Sequence, residues 1–331
     1  MPRLFVAARV AARSPAKLLA MTWSLFIVQL LNGIQYGFLL FLMAAGLTLV
    51  FGIMNFVNLA HGSLYMMGAY FAAWAFNNGL FGIKESFLIA ALVGVTGSFV
   101  LGVVLDRVLL TGLYARDHLD QVLATFGLIL VFNEAARFIW GVSPYYMQVP
   151  SALEGTVDIL GIAYPKYRFM IILVGAAVAA GMYWLIQKTR IGMLIRAGAS
   201  NAPMVGALGV NIKLLNTLLF GVGAALAGVA GLMAGPILSV QPGMGEPILI
   251  VVLVVIATGG IGSIRGAFYA ALIVGVIDTV GRVFLPIVLR EIMERSLAQA
   301  AGPAIASMLI YLVMAVVLAI KPEGLFPVKH G

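Results

Sequence analysis

The sequence predicts an all-α protein, a polytopic bundle of transmembrane helices. Of its 331 residues, 63% are hydrophobic and only 10% are charged, and the mean hydropathy is +1.09. Soluble globular chains carry about 25% charged residues. Long runs of the chain contain no Asp, Glu, Lys or Arg, and these runs cover residues 18–83, 86–105, 169–187, 214–245, 247–264 and 296–320. Because a helix of about 20 apolar residues crosses the hydrocarbon core of a bilayer, most of these runs are long enough to span it.

Helices are favoured over a transmembrane β-barrel because the apolar runs do not alternate between apolar and polar residues. The predicted spans are 24–52, 62–78, 86–106, 121–141, 168–187, 214–235, 247–259, 266–286 and 303–320. The piece 247–259 is too short to cross fully, since a helix rises about 1.5 Å per residue. We therefore predict about eight spans together with broken or re-entrant segments, all within one transmembrane domain over residues 21–331.

Residues 1–20 are predicted to form an amphipathic helix at the membrane interface. Arg3, Arg9, Arg13 and Lys17 fall on one side of a helical wheel, with Ala and Leu opposite. The alternative is a cleaved signal peptide, but the apolar block that follows is much longer than the apolar region of such a peptide.

The distribution of basic residues predicts the orientation. The loop 188–213 holds four Lys and Arg residues, and no acidic residue occurs between Asp158 and Glu246. By the positive-inside rule this loop is cytoplasmic, and so is the loop 107–120, two crossings earlier. Counting back further places the basic N-terminus outside, against the rule, so we expect one early block to be broken or re-entrant near residues 52–62.

Two polar or glycine-rich interruptions are candidate parts of a transport site. The first contains Asn55, Asn58 and His61, which in an apolar environment need hydrogen-bond partners and tend to face a cavity, a neighbouring helix or the interface. An ordinary surface turn between two spans is an equally good interpretation of this cluster.

The second interruption contains Gly259, Gly260, Gly262 and Ser263, with Arg265 beside them. A helix that restarts near Ser263 would point its positive end into the protein and could bind a carboxylate. A hinge or a close-packing point is the alternative. Paired interruptions in the early and late halves of a chain are typical of a central transport site.

The sequence shows little sign of catalysis, metal binding or a proton relay. The chain has no cysteine and no phosphate-binding P-loop motif, and it lacks the residue patterns of a catalytic or metal site. Glu134 and Arg137 can pair on one helical face, which we interpret as structural. His61, Glu134 and Asp278 are too few for a proton relay through several sites. The net charge of +8 is explained by basic cytoplasmic loops rather than by nucleic-acid binding.

The cytoplasmic loop 188–213 is partly apolar and partly basic, which is typical of a helix that docks into a partner's groove. A solvated connector is the alternative. From its composition alone the two interpretations have even weight.

Several motifs resemble the membrane permeases of branched-chain amino acid ABC importers, of the type called LivH. They are Gly46–Gly52 followed by Asn55–Gly62, the loop 189–211, the glycine-rich stretch 259–267 and Lys321–Phe326. The resemblance covers residues 28–326. It implies that Arg190, Gly192, Arg196, Ala197, Gly206 and Gly209 belong to a loop that couples the permease to ATPase subunits.

The resemblance further implies a permease domain in the bacterial inner membrane, working by alternating access. Its partners would be a LivM-like permease subunit, a pair of cytoplasmic ATPases that use ATP and Mg, and a periplasmic solute-binding protein. The chain itself would bind no cofactor. Rival hypotheses are a stand-alone secondary transporter, a receptor subunit, and a urea, amide or organic-acid permease of the same family.

The sequence departs from the family pattern at three places. Ser63 and the segment Asn201-Ala202-Pro203 stand where acidic residues are common, and Arg265 stands where proline is frequent. Arg265 thereby adds a cation beside the start of a predicted helix.

Overall fold

The computed structural model describes residues 15–79, 83–159 and 161–327. Most of the predicted interfacial segment, residues 1–14, lies outside the described residues, and residues 15–20 belong to the first long helix. The described residues form ten α-helices: α1 Pro15–Met54, α2 His61–Asn78, α3 Phe87–Leu105, α4 His118–Trp140, α5 Lys166–Lys188, α6 Arg190–Ala207, α7 Ile212–Ala234, α8 Gly245–Gly259, α9 Ile264–Leu289 and α10 Arg295–Ile320. A short π-helix, Asp106–Leu110, extends α3.

Seven segments of the described chain are long and apolar enough to cross a membrane: Trp23–Gly52, Phe87–Leu110, His118–Trp140, Lys166–Lys188, Ile212–Ala234, Ile264–Leu289 and Arg295–Ile320. The helix α2, which has 18 residues and is mostly buried inside the bundle, is not among these segments. The helix α8 has only 15 residues, as predicted for the short piece. The all-α polytopic bundle is therefore confirmed.

The last span begins earlier than predicted. The helix α10 starts at Arg295, although the predicted span starts at 303. Its first turns contain charged and polar residues that lower the local hydropathy, and Pro303 does not end the helix. The hydroxyl of Ser307 donates to the Pro303 carbonyl at 3.1 Å, one turn back along the continuing helix.

The centre of the bundle is formed by α1, α2 and α7, whose residues are mostly buried, while α4, α5, α9 and α10 expose apolar faces. Small residues allow the central helices to approach closely. A Cβ atom on Gly223 would lie 2.9 Å from the Gly46 carbonyl oxygen, and a Cβ on Gly68 would lie 2.7 Å from the Ser98 hydroxyl oxygen. Larger side chains at these glycines would force the helices apart.

The two predicted cytoplasmic loops lie at one end of the bundle. The helices α3 and α7 pack antiparallel, so that Asp106 at the end of α3 contacts Thr217 in the first turns of α7. We call this end, which carries α6, the cytoplasmic end because of its basic residues.

The helix α1 runs from the opposite end towards the cytoplasmic end. Asn32 accepts hydrogen bonds from Tyr164 and Arg168 at the extracytoplasmic start of α5, at 3.2 and 2.8 Å. Gly52, near the end of α1, instead lines a cavity together with residues of α6. The expected break near residues 52–62 is present, but it does not place the start of α1 on the cytoplasmic side. Trp23 lies towards the extracytoplasmic end.

The segment between α4 and α5 lies at the extracytoplasmic end and contains a small hairpin, β1 Thr156–Ile159 and β2 Ile162–Pro165. Tyr145 forms an isolated antiparallel bridge with Val240, which ties this segment to the chain that precedes α8. Tyr164 in β2 is fully buried, and burial raises the pKa of its hydroxyl to about 12.

Candidate functional site

The break between α1 and α2 keeps its backbone hydrogen-bonded through side chains of α4. The N–H of Val57 donates to the Gln121 side-chain oxygen, and the N–H of Leu59 donates to the Thr125 hydroxyl, both at 3.3 Å. Irregular backbone at membrane depth requires such partners. Gln121 and Thr125 were missed by the sequence analysis, although both are polar residues within a predicted span.

The three polar residues of the first cluster occupy different environments. Asn55 is exposed and has a left-handed backbone, with φ of 49°. Asn58 is buried, and neither its amide nitrogen nor its oxygen has a hydrogen-bond partner within the described residues. His61 is fully buried, and its Nε2 lies 3.2 Å from the Met43 carbonyl oxygen. Because α1 continues for about three turns beyond Met43, α2 begins inside the bundle.

The starts of α2 and α8 meet inside the bundle. A Cβ on Gly62 would lie 2.5 Å from the Gly245 carbonyl oxygen, so the two backbones touch. Asn133 of α4 holds this region: its amide donates to the Glu246 carboxylate at 2.5 Å and accepts from the N–H of Gly243 at 3.1 Å. The carboxylate of Glu246 lies in the first turn of α8, where the helix dipole stabilises it. The Gly62–Gly245 contact was not anticipated from the sequence, because the residues lie far apart along the chain.

The glycine-rich turn 259–263 lies at the cytoplasmic end rather than beside His61. A Cβ on Gly259 would lie 2.5 Å from the Gly266 carbonyl oxygen, which gives direct evidence of close packing. Gly260 and Gly262 have φ of 105° and 81°, which non-glycine residues rarely adopt. Ser263 caps α9, because its hydroxyl accepts the N–H of Gly266 at 3.1 Å.

The chain after α10 covers the end of α8. The N–H of Leu325 donates to the Thr258 carbonyl at 2.9 Å, and the N–H of Phe326 donates to the Gly259 carbonyl at 3.0 Å. These carbonyls have no partner within their own helix. The C-terminal motif and the glycine-rich motif thus form one structural unit.

A cavity of about 840 Å³ opens at the cytoplasmic end, and we call it the vestibule. Its walls are the end of α1, the end of α5, one face of α6 and the turn before α9. It brings together four of the predicted residues, namely Asn55, Arg196, Gly262 and Ser263. Asn58, His61, Gly259 and Gly260 are not among its lining residues.

The helix α6 is held firmly against the end of α5. The Thr189 hydroxyl accepts the N–H of Gly192 at 3.1 Å, and the guanidinium of Arg196 donates to the Ile186 carbonyl. A side chain on Gly192 would collide with the carbonyls of Leu185 and Ile186. The position of α6 therefore depends on α5.

The helix α6 bends at Asn201, whose φ and ψ are −153° and 85°. Its side-chain oxygen accepts the N–H of Met204 at 3.0 Å, and Pro203 follows within the second half. The bend separates residues 190–200 from 202–207.

The six predicted coupling residues differ in exposure. Arg190, Gly206 and Gly209 are exposed, Ala197 is half-buried and Gly192 is buried, while Arg196 is exposed apart from its contact with α5. Large apolar side chains of this region are also exposed: Ile191, Met193, Met204 and Leu208. This mixture of apolar and basic groups gives the cytoplasmic end a surface suited to a partner's groove.

Two ion pairs occur among the described residues. Glu134 and Arg137 pair at 2.8 Å with both side chains well exposed, as the structural interpretation predicts. Asp278 pairs with Arg282 at 2.9 Å, and Arg282 also donates to the Ser307 hydroxyl at 2.8 Å. The second pair links α9 to α10.

Asp106 was not singled out from the sequence but is almost completely buried. Its carboxylate accepts hydrogen bonds from the Thr217 hydroxyl, at 2.6 Å, and from the Tyr114 hydroxyl. Arg107 also donates to Thr217 at 3.0 Å. The only feature of the sequence that could have indicated a role for Asp106 is its position directly after the charge-free run 86–105.

A family model described as branched-chain amino acid transport system, permease component, matches residues 29–318. The chain belongs to this family. The resemblance seen in the motifs is thereby confirmed, and so is the prediction of a multi-pass protein of the bacterial inner membrane.

Three relatives of this permease are named as branched-chain amino acid transport permeases. It is 29% identical over 266 residues to the high-affinity branched-chain amino acid transport permease BraD of Pseudomonas aeruginosa, covering 77% of this chain and 86% of the relative. It is 26% identical to the corresponding LivH of Salmonella typhimurium, covering 82% and 91%. A probable LivH of Methanocaldococcus jannaschii is 27% identical, covering 75% and 78%. No solved structure matches the permease.

Proposed function

We propose that this permease is the translocating subunit of an ATP-driven importer for branched-chain or related amino acids. One observation carries the proposal: the vestibule is lined both by α6 and by the glycine-rich turn before α9. Movement of α6 by a cytoplasmic partner therefore acts directly on a wall of the cavity.

The coupling residues have two kinds of role in this proposal. Arg190, Ala197, Gly206 and Gly209 belong to the surface that meets the ATPases, together with the exposed apolar side chains. Gly192 and Arg196 hold α6 on α5, so that α6 and α5 move together when the partner moves. Alternating access follows when this unit tilts relative to α1 and α9.

The solute path in this proposal has an inner and a cytoplasmic part. The inner part lies where the broken helices meet, near Asn58 and His61. The cytoplasmic part is lined by Asn55, Gly262 and Ser263, and Gly259 and Gly260 support the turn from behind. Positive-φ glycines at this end give the turn a backbone that can change shape without strain from side chains.

In this proposal the energy for transport comes from partner ATPase subunits. The sequence contains no P-loop motif, so ATP and Mg are used by a pair of ATPase subunits and this chain binds no cofactor. The family implies a LivM-like second permease subunit and a periplasmic binding protein, which would largely select the solute.

The test is uptake of radiolabelled leucine by proteoliposomes. We expect uptake when the permease is reconstituted with its second subunit, its ATPases, its binding protein and ATP. The permease alone should show neither ATP hydrolysis nor uptake. Uptake by the permease alone under a proton or sodium gradient would overturn the proposal in favour of a secondary transporter.

A binding assay on the cognate periplasmic protein separates branched-chain amino acids from urea, amides and organic acids. We expect the tightest binding for leucine, isoleucine or valine. Tight binding of urea or an organic acid alone would replace the proposed solute but leave the ATP-driven mechanism in place.

A further inference from the structure

A second cavity, of about 530 Å³, opens on the side of the bundle, and we call it the lateral crevice. Its floor is Phe38 and Phe41 of α1. One wall is α5 between Ala176 and Gln187, and the other is the beginning of α9, from Ile264 to Tyr269. Both α5 and α9 pack on α1, and the crevice lies between them.

The crevice is a wedge that is closed at its extracytoplasmic end. A Cβ on Gly175 would lie 2.6 Å from the Cβ of Phe38, so α5 touches α1 one residue before the crevice begins at Ala176. The interior is apolar and aromatic, with the Phe268 ring 5.3 Å from that of Phe41. Such a narrow apolar wedge suits a hydrocarbon chain better than a hydrated solute.

A basic side chain, that of Arg265, lies at the cytoplasmic mouth of the crevice. The guanidinium carbon of Arg265 lies 5.3 Å from the centre of the Tyr183 ring, so Arg265 of α9 reaches across to α5. Among the described residues, no carboxylate forms a salt bridge with it. Tyr183 and Tyr269 at the rims are each 49% exposed, so the crevice is open towards the surroundings of the chain.

Charge complementarity decides between possible occupants. A free amino acid would bring an ammonium group as well as a carboxylate, and the crevice is lined by no Asp or Glu that could pair with the ammonium. An anionic phospholipid needs only an apolar wall for its acyl chain and a cation for its phosphate. Basic pockets between transmembrane helices on the cytoplasmic side are typical sites for anionic headgroups.

We propose that the lateral crevice binds one anionic phospholipid of the cytoplasmic leaflet, with an acyl chain against Phe38, Phe41 and Phe268 and its phosphate on Arg265. The lipid would then brace α5, which carries α6, against α9. This inference does not depend on the identity of the transported solute.

The test is native mass spectrometry of the full-length permease titrated with palmitoyl-oleoyl phosphatidylglycerol or with the phosphatidylcholine of the same acyl chains. We expect a one-to-one adduct with phosphatidylglycerol, preferred about fivefold over phosphatidylcholine, since one basic residue contributes about that factor. Arg265→Gln should abolish the preference. Arg290→Gln is the matched control, because Arg290 is an exposed arginine at the opposite end of the same helix.

A second pair of variants tests the acyl-chain site without changing any charge. Ala179→Phe fills the crevice and should remove the adduct, whereas Ala177→Phe, on an exposed position of α5 outside the crevice, should leave it in place. Equal binding of the two lipids to the unaltered permease would overturn the proposal. So would an undiminished preference in Arg265→Gln, or loss of the adduct on assembly with the second permease subunit, which would show that protein covers the crevice.

Discussion

The backbone N–H of Phe326 donates a 3.0 Å hydrogen bond to the carbonyl of Gly259, the last residue of α8. The neighbouring N–H of Leu325 does the same for Thr258. The C-terminal segment therefore fixes the glycine-rich turn that follows α8, and with it one wall of the vestibule. The Phe326 ring also packs on the Tyr269 ring, with centres 5.1 Å apart.

Replacing Gly324 by Ala should release this segment. Gly324 has φ of 86°, and a Cβ there would lie 2.5 Å from the Gly260 Cα. We expect a loss of stability of about 1–2 kcal/mol from the backbone angle, with at least about 1 kcal/mol more from the collision. Denaturant unfolding of the permease in detergent micelles measures the effect.

Gly141→Ala is the control for that experiment. Gly141 has φ of 88°, but a Cβ there would have no atom within 4 Å, so the variant shows the backbone effect without the collision. Equal losses of stability in the two variants would mean that the contact between Gly324 and Gly260 contributes nothing.

The attachment of α6 to α5 should be sensitive to a single methyl group. In Gly192→Ala the added methyl collides with backbone carbonyls of α5 and displaces α6. We expect ATP-dependent leucine uptake by the complete importer to fall about tenfold or more, because small misplacements of working parts have effects of that size.

Gly181→Ala is the matched control on the adjoining helix α5. Gly181 is exposed, and a Cβ there would have no atom within 4 Å. Uptake should remain near that of the unaltered importer. If Gly192→Ala transports as well as Gly181→Ala, the packing of α6 against α5 plays no part in coupling.

The helices could be predicted well from the sequence because charge is excluded from hydrocarbon. Runs without charged residues gave most spans to within a few residues of their observed bounds. The start of α10 at Arg295 was missed because a helix extends beyond the membrane wherever its backbone bonds continue, and hydropathy does not report this. The β1–β2 hairpin was missed for a similar reason, since it lies outside the apolar runs.

The candidate site could be predicted only in part. Polar and glycine residues within apolar runs were visible, and the glycine-rich turn does line a cavity together with Asn55. The contacts that define the centre are long-range: Gly62 meets Gly245, and Gln121 supports the backbone at Val57. Local pattern carries no information on which distant residues meet, so these pairings required the three-dimensional fold.

Thiol labelling should distinguish the vestibule from the buried part of the break. The chain contains no cysteine, so a single introduced cysteine is the only thiol. Asn55→Cys should react with a membrane-impermeant maleimide in inside-out vesicles and not in right-side-out vesicles, because Asn55 lines the cytoplasmic vestibule.

Asn58→Cys is the companion variant. Asn58 is only 2% exposed, so its thiol should stay unlabelled from either side in the resting permease. Labelling of position 55 from the extracytoplasmic side would contradict the orientation deduced from the basic loops.

The buried carboxylate of Asp106 should be important for joining the cytoplasmic ends of α3 and α7. In Asp106→Ala the Tyr114 hydroxyl loses its acceptor and the Thr217 hydroxyl keeps only the Lys213 carbonyl, and a buried polar group left without a partner costs about 1–3 kcal/mol. We expect unfolding in detergent at correspondingly lower denaturant concentration. Glu291→Ala removes an exposed carboxylate outside the helices and should change stability by no more than about 0.5 kcal/mol.

A double-mutant cycle with Thr217→Val separates the hydrogen bond from other effects of the Asp106 substitution. Because the two side chains are in direct contact at 2.6 Å, their stability changes should be non-additive, with a coupling of about 0.5–3 kcal/mol. Additive losses would mean that the carboxylate stabilises this end through Tyr114 or through its charge alone. Under the first explanation Tyr114→Phe combined with Asp106→Ala should show the coupling, since the Tyr114 hydroxyl donates to the other carboxylate oxygen, and under the second it should not.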